Sequence, residues 1–321
     1  MKRLLGVLLM VLLLYALLMG MDENARSWSN QQTIASRLGF YGVLTVGVGV
    51  LIVSGGIDLS IGSVVGLGAV CFALLLKRQV PPWGALGIVV AGGAVIGLAH
   101  GLLVTKLGLQ PFLVTLCGLF IYRGLARWAA KTSVGLEVRG ADPAFQGRVE
   151  SFRRLLVGEG LGLSHQLLVL LAVALVLGLF LHGTRYGRYL FAIGANEDAA
   201  RYAGIRTDVY KIVAYVLCSA LAGLGAVLYI LDNRTANATS AGSLLELYAI
   251  TGAVLGGCSL RGGEGTVPGM VLGAAVLPLL RQLCSFGGIT NELEYAVIGV
   301  ALLLGTIADE MLKRRARRRG D

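Results

Sequence analysis

Charged residues are scarce in this sequence. Only 14% of its 321 residues are Asp, Glu, Lys or Arg, whereas 56% are hydrophobic, and the mean hydropathy is +0.77. A soluble protein of this size could not bury so much apolar surface, but a lipid bilayer accommodates it. The composition therefore excludes a soluble globular protein and predicts an integral membrane protein. The 47 glycines fit this class, because small residues let helices approach closely in lipid.

Residues and motifs that carry catalytic chemistry are also few. The three histidines are isolated from one another, and neither His-Glu-x-x-His nor Gly-x-Ser-x-Gly occurs. The five cysteines lack the spacing of a metal site, and we expect them to be packing residues. They are Cys71, Cys117, Cys218, Cys258 and Cys284. We therefore expect neither catalytic nor metal-binding residues, and His100 could either pack in the core or contact a substrate.

The net charge of +10 would favour nucleic-acid binding in a soluble protein. Here six of the basic residues lie within the last nine positions, in the segment Lys313–Arg319. We interpret residues 312–321 as a basic cytoplasmic tail, because basic residues beside a membrane span mark its cytoplasmic side. No nucleic-acid partner is expected.

Ten apolar runs predict an all-α, polytopic membrane bundle with about ten transmembrane helices, in which residues 1–321 form a single transmembrane domain. Several runs are short for a bilayer core of about 30 Å, so eight or nine spans remain an alternative. An even count places both basic termini on the cytoplasmic side, although it leaves five basic residues of segment 131–165 outside. The runs are approximately 1–20, 34–53, 61–76, 83–105, 112–130, 166–181, 212–231, 248–260, 266–283 and 293–308.

The longest charged island with a helix-like pattern covers residues 183–211. Asn196 is placed to cap a short helix by accepting a backbone N–H. Glu197 and Asp198 suit the positive end of the helix dipole, and Gly204 suits its termination. We expect about two turns of helix on the membrane surface, a shape suited to binding another protein.

A second polar stretch interrupts the apolar sequence at residues 54–63. Irregular backbone inside a membrane must face protein or water. Asp58, Ser60 and Ser63 could therefore line a translocation pathway or its gate. Alternatively, Asp58 or Ser60 caps the helix that follows.

Two further stretches carry local signals. Pro111 is expected to begin a helix on which Arg123 and Arg127 anchor at the membrane interface or contact a substrate. We interpret the glycine-rich stretch 256–269 as a cytoplasmic turn. It lacks Gly-x-x-x-x-Gly-Lys-Ser/Thr, so we do not expect nucleotide binding by this chain.

Four of these stretches resemble the permease subunits of bacterial ATP-binding-cassette sugar importers, in the ribose/galactose/xylose class of the branched-chain amino-acid and sugar permease superfamily. The charged island contains Arg-Tyr-Gly-Arg-Tyr at 185–189 and Ala-Ile-Gly-x-Asn-Glu-x-Ala-Ala-Arg-x-x-Gly-Ile at 192–205. The others are Gly-Gly-Ile-Asp-Leu-Ser-Ile-Gly at 55–62, Pro-Phe-x-Val-Thr-Leu at 111–116 and Gly-Gly-x-Ser-Leu-x-Gly-Gly-x-Gly-Thr at 256–266.

The resemblance implies a multi-pass permease subunit of the bacterial inner membrane that carries a monosaccharide, pentose or hexose, received from a periplasmic or extracellular binding protein. Segments 131–165 and 232–246 are the candidate contact surfaces for that protein. The resemblance also implies a second permease copy, no cofactor on this chain, and ATP on separate ATPase subunits that dock on the charged island. The implied coupling residues are Gly194, Asn196, Glu197, Ala200, Arg201 and Gly204.

Other classes of function stay open. An ion-gradient-driven transporter needs ionisable groups deep in the bundle, for which Asp58 and His100 are the candidates. Uptake that survives collapse of the ion gradients would exclude it. A membrane scaffold would show no uptake with any partner. Within the importer interpretation, a branched-chain amino acid or an autoinducer-type sugar is an alternative substrate.

Overall fold

The computed structural model describes residues 2–137, 142–160 and 162–290, together with residues 293, 296, 297, 299, 300 and 303. Within these residues the chain forms twelve α-helices. They are α1 (Lys2–Met21), α2 (Trp28–Val53), α3 (Ile61–Lys77), α4 (Pro82–Lys106), α5 (Pro111–Ala129), α6 (Pro143–Val157), α7 (His165–Gly178), α8 (Arg185–Ala195), α9 (Glu197–Tyr202), α10 (Thr207–Asn233), α11 (Leu245–Leu255) and α12 (Val267–Phe286). A π-helical turn, Leu179–Gly183, continues α7.

Four short strands form two antiparallel pairs. Strand β1 (Ser133–Gly135) pairs with β4 (Thr235–Asn237), and β2 (Glu159–Gly160) pairs with β3 (Leu163–Ser164). We call the end of the bundle that carries these strands and α6 the sheet end. The opposite end, which carries α8 and α9, is called the coupling end.

The prediction of a polytopic helical membrane protein is confirmed. In the described part of the chain, seven helices are long and apolar enough to cross a bilayer: α1, α2, α4, α5, α7 with its π-helical turn, α10 and α12. The predicted runs 61–76 and 248–260 correspond to α3 and α11, which have only 17 and 11 residues. Most of the predicted span 293–308 lies outside the described residues, and the basic tail 312–321 lies wholly outside them.

Two short helices begin inside the bundle rather than at its surface. Helix α2 ends at Val53 and α3 starts at Ile61, so the predicted break is confirmed. A second break, between β4 and α11, was not predicted. The first residues of α3 and α11 face each other, because a Cβ atom at Gly62 would collide with the carbonyl of Gly242 and the carboxylate of Glu246.

The two short helices leave this meeting point in opposite directions. Phe72 of α3 stacks on Phe152 of α6 at 6.2 Å between ring centroids, which places the end of α3 at the sheet end. Helix α11 leads to the loop 256–266, where the Gly263 N–H donates to the carbonyl of Val53 at 2.9 Å near the coupling end. The irregular backbone that precedes each short helix is tolerable in a membrane only because protein encloses it.

Helices α4 and α10 pack through a seam of glycines spaced four residues apart. A Cβ atom at Gly93 or Gly97 would collide with a backbone carbonyl of α10, and one at Gly101 would lie 2.8 Å from the Cα of Ile212. At the coupling end, the Lys106 Nζ and Asp208 Oδ2 atoms are 2.6 Å apart. The seam therefore fixes the two helices antiparallel and in close contact.

Replacing Gly97 by alanine should destabilise the bundle, because the new methyl group would meet the Tyr215 carbonyl of α10. Overpacking of this kind costs about 1–3 kcal/mol. The melting temperature of the detergent-solubilised chain should fall. The matched control is Gly92→Ala on the same helix, where no atom lies within 4 Å of the added Cβ. Equal melting temperatures for the two variants would contradict the seam.

Candidate functional site

Helix α9 matches the predicted surface helix. The Asn196 Oδ1 atom accepts the Ala199 N–H at 2.9 Å, and Glu197 and Asp198 occupy the first turn. Gly204 adopts a φ of +83° just beyond the helix, a conformation that favours glycine. The geometry of the helix is confirmed, while its docking role stays a prediction.

Sequence reasoning missed the neighbouring helix α8. It is amphipathic, with Leu190 and Ile193 buried, and the Thr184 Oγ1 atom caps it by accepting the Gly187 N–H at 3.2 Å. The threonine followed by two apolar residues at helical spacing was the available signal.

Ion pairs fasten α9 to the start of α10. The Glu197 Oε2 atom lies 2.7 Å from the Lys211 Nζ atom, and Arg201 Nη2 lies 3.3 Å from Glu197 Oε1 and 3.7 Å from Asp208 Oδ1. By contrast, the Tyr202 side chain is 92% exposed. Glu197 and Arg201 are therefore engaged within the chain, and Tyr202 is the large side chain that α9 offers to a partner.

The remaining predicted coupling residues occupy different positions on this loop. Ala200 is buried on the inner side of α9, whereas Asn196 and Gly204 are exposed. Gly194, at the end of α8, lies on the inner side of the loop, where it contacts Val53 and Gly263. The six residues thus lie in one segment, but only part of them faces outward.

Three glycine-containing stretches that were singled out separately meet at Gly194. A Cβ atom there would collide with the Val53 carbonyl and with the N–H of Gly263. Gly55, Gly262 and Gly263 adopt φ values of +80°, +88° and +74°, which other residues rarely adopt. We call this contact of Gly194 with Val53 and Gly263 the glycine junction.

Asp58 lies fully buried near the middle of the bundle. Its Oδ1 atom accepts the Ser60 N–H at 2.7 Å and the Ser60 hydroxyl at 2.6 Å, and its Oδ2 atom accepts the Ser219 hydroxyl at 3.4 Å. Ser219 is about 12 residues, or roughly 18 Å, along α10 from its first residue. The carboxylate therefore fastens the break between α2 and α3 to α10.

Ser60 and Ser63 are also buried. The Ser63 hydroxyl donates to the Ser60 carbonyl at 2.7 Å. Ser60 is the residue before α3, yet its side chain caps no N–H of that helix. Asp58 stabilises the turn that leads into α3 instead. A role of these three residues in the translocation pathway stays a prediction.

His100 links the buried carboxylate to α5. The His100 Nδ1 atom lies 3.7 Å from Asp58 Oδ2, and its Nε2 atom lies 2.9 Å from the Tyr122 hydroxyl. The Tyr215 ring meets the imidazole edge-on, and its hydroxyl donates to the Ile57 carbonyl at 3.3 Å. His100 is buried, as expected of a packing residue, but it also belongs to a polar network that joins α4, α5 and the break.

Glu246 is the buried acid that sequence reasoning missed. Segment 232–246 was predicted to be an outside loop, whereas the structure places Glu246 in the first turn of α11, 8% exposed, with its carboxylate against Gly62. An acid directly before an apolar run was the available signal. Arg123 is half-buried and donates to the Ala241 carbonyl beside it, whereas Arg127 is exposed, and the anchoring or substrate-contacting role of the two arginines stays a prediction.

Comparison with known proteins decides the family. The family model described as "Branched-chain amino acid transport system / permease component" matches residues 30–305. The chain belongs to this permease family. The matched range runs from α2 through α12 and so contains the charged island 183–211, which we call the coupling loop after its predicted role, together with the glycine junction and the buried polar network. No solved structure matches the chain.

Curated relatives resemble this permease over most of their length. It is 32% identical over 302 residues to the ribose import permease protein RbsC of Escherichia coli (strain K12), covering 94% of this chain and 92% of the relative. It is 31% identical over 323 residues to the galactose/methyl galactoside import permease protein MglC of the same strain, covering 95% and 94%. It is 31% identical over 266 residues to the autoinducer 2 import system permease protein LsrD of Klebsiella pneumoniae, covering 82% and 78%.

These comparisons confirm the resemblance to permeases of bacterial sugar importers. The permease is a multi-pass membrane protein and a transporter subunit rather than an enzyme. An ion-driven transporter or a scaffold is not favoured.

Replacing Asp58 by alanine in the permease should lower its stability, because the Ser60 N–H and the Ser60 and Ser219 hydroxyls would lose their buried acceptor. Leaving a buried donor without its acceptor costs about 1–3 kcal/mol. We expect a lower melting temperature in detergent, with Asp198→Ala, an exposed acid of α9, as the unaffected control. If Asp58→Ala melts like the native chain and assembles normally but abolishes uptake, the carboxylate acts in the pathway instead.

Proposed function

We propose that this chain is the membrane-spanning permease subunit of an ATP-driven importer that translocates a monosaccharide, pentose or hexose, delivered by an extracytoplasmic binding protein. The observation that carries the proposal is the match to two sugar permeases over more than nine-tenths of both chains. These two relatives are named for different sugars, so discrimination between sugars is assigned to the binding protein. The family description names branched-chain amino acids, but neither of these two relatives does.

The coupling end is the proposed docking site of the ATPase subunits and therefore the cytoplasmic end, with both termini on the same side. Helix α9 supports this, because it is a short, well-capped helix that stands outside the bundle and presents Tyr202. ATP binds to the ATPase subunits, and this chain binds no cofactor. A second copy of the chain completes the pathway in the bacterial inner membrane.

The sheet end is the proposed contact surface for the binding protein. Helix α6 lies there with a cluster of charges, in which Glu150 pairs with Arg153 at 2.8 Å, with Arg154 at 3.4 Å and with Arg234 at 3.9 Å. The hydrogen bond from Arg153 is the largest of the effects that lower the pKa of Glu150, to about 2. The cluster thus stays ionised at the pH values where a binding protein would meet it.

The ATPase should bind through the outward side of α9. Reversing Glu197 and Arg201 would also break their ion pairs with Lys211 and Asp208, so we select Asp198→Lys with Tyr202→Ala, which changes exposed side chains only. Co-purification with the ATPase subunit of a sugar importer should fall about tenfold, equivalent to about 1.4 kcal/mol.

The melting temperature of this double variant should match that of the native chain. The control is Trp28→Ala at the sheet end, an exposed aromatic residue whose loss should leave ATPase binding unchanged. Undiminished binding of the double variant would show that the ATPase does not dock on the outward side of α9. Failure of the native chain to bind any such ATPase would remove the proposed function.

Uptake should depend on ATP rather than on an ion gradient. We expect proteoliposomes that contain this chain, the ATPase and a sugar-binding protein to accumulate labelled ribose or galactose when ATP is enclosed with the ATPase. Ionophores that collapse proton and sodium gradients should leave the rate unchanged, because no step uses those gradients. Uptake that stops with the ionophores, or that carries leucine instead of a sugar, would overturn the assignment.

A further inference from the structure

The glycine junction leaves no room between three segments of the chain. An ideal Cβ at Gly262 would lie 2.7 Å from the Gly194 carbonyl oxygen, and one at Gly263 would lie 3.0 Å from the Cβ of Ala195. The Gly263 N–H also donates to the Val53 carbonyl at 2.9 Å. Backbone touches backbone, so no flexible side chain between the segments can absorb a displacement.

Each of the three segments leads to a different working part of the molecule. Gly194 is the second-to-last residue of α8 and stands two residues before the Asn196 cap of α9. Val53 ends α2 and opens the break at residues 54–60. Gly263 belongs to the loop 256–266, which joins α11 to α12. The junction therefore connects the surface helix to both broken-helix regions.

The break at residues 54–60 connects the end of α2 to the buried polar network through a short stretch of chain. Its first turn is closed by two backbone hydrogen bonds, from Gly55 to Ile52 at 2.9 Å and from Gly56 to Leu51 at 3.1 Å. Asp58 follows within five residues of Val53 and holds Ser219 of α10 and Ser60. A shift of the end of α2 must therefore move the buried polar network or break its bonds.

We propose that the glycine junction persists throughout the transport cycle, so that the coupling loop, the end of α2 and the loop 256–266 move as one body. This body carries an ATPase-driven displacement to the break at 54–60. The inference rests on the proposed function, since it concerns how docking at α9 reaches the pathway. Gly194 is a positioning residue in this scheme: it contacts neither the ATPase nor the sugar.

A reversible cross-link tests whether the junction stays closed. Ala195→Cys and Gly263→Cys are introduced together into a chain whose five native cysteines are replaced by alanine. The two Cβ atoms would lie about 3.0 Å apart, close to the roughly 3.8 Å of a disulfide. Because a cysteine at Gly263 crowds Ala195 and must adopt a φ of +74°, the reduced double variant is the reference for the oxidised one. The oxidised complex should import sugar at a rate within twofold of the reduced complex. Import that is blocked by oxidation and restored by reductant would overturn the proposal.

Loosening the junction tests whether it transmits movement. Gly194→Ala should keep ATPase co-purification and ATP hydrolysis but lower sugar import at least tenfold, so the number of ATP molecules hydrolysed per sugar rises. Gly92→Ala is the matched glycine control and should import normally. Normal import by Gly194→Ala would overturn the proposal. A purely structural role would instead lower complex yield and hydrolysis together.

A further test uses the native complex and needs no substitution. Amide hydrogen exchange of the peptide that contains Gly263 should be equally slow in the nucleotide-free and ATP-bound complexes. Exchange that is tenfold faster in either state would show that the bond to Val53 opens, which the proposal forbids. If the native complex itself imports no sugar, the proposed function fails, whereas a native complex that imports sugar but shows this faster exchange defeats the junction alone.

Discussion

Direct backbone contact at glycine positions is the constraint on which this bundle depends. Three regions show it: the seam between α4 and α10, the meeting point of α3 and α11, and the glycine junction. In each, a methyl group would collide with the backbone of a neighbouring segment. Close contact brings the buried polar side chains near one another, because helices separated by ordinary side chains would hold Asp58 and His100 farther apart than their 3.7 Å.

The broken helices create the second requirement, which is to satisfy backbone groups away from water. The structure meets it locally: Asp58 accepts the N–H of Ser60, and Arg123 donates to the carbonyl of Ala241. Unpaired groups at this depth would each cost several kcal/mol, roughly the cost of a missing hydrogen bond in hydrocarbon. Polar side chains in the middle of the bundle therefore serve the fold first, and any role in transport is added to that.

Much of the fold was readable from the sequence, because apolar runs and capping residues act locally. Nine of the ten predicted runs coincide with helices, and the Asn196 cap, the Pro111 start and the break after Val53 lie where expected. The long-range contacts were not readable. Residues 58, 100 and 219 carry no pattern that joins them, and Glu246 lies two residues before the predicted run 248–260, so it was assigned to the preceding loop. Family resemblance, rather than periodicity, supplied the function.

The opposed short helices have an electrostatic consequence. Each directs the N–H groups of its first turn toward the same region, so two partially positive helix ends face each other in the middle of the bundle. The carboxylate of Glu246 lies against one of them and offsets that field. Beside these two helix ends, the centre of the protein also holds the carboxyl groups of Asp58 and Glu246 and the half-buried guanidinium of Arg123. The fold therefore holds charge of both signs in fixed positions in the middle of the bundle.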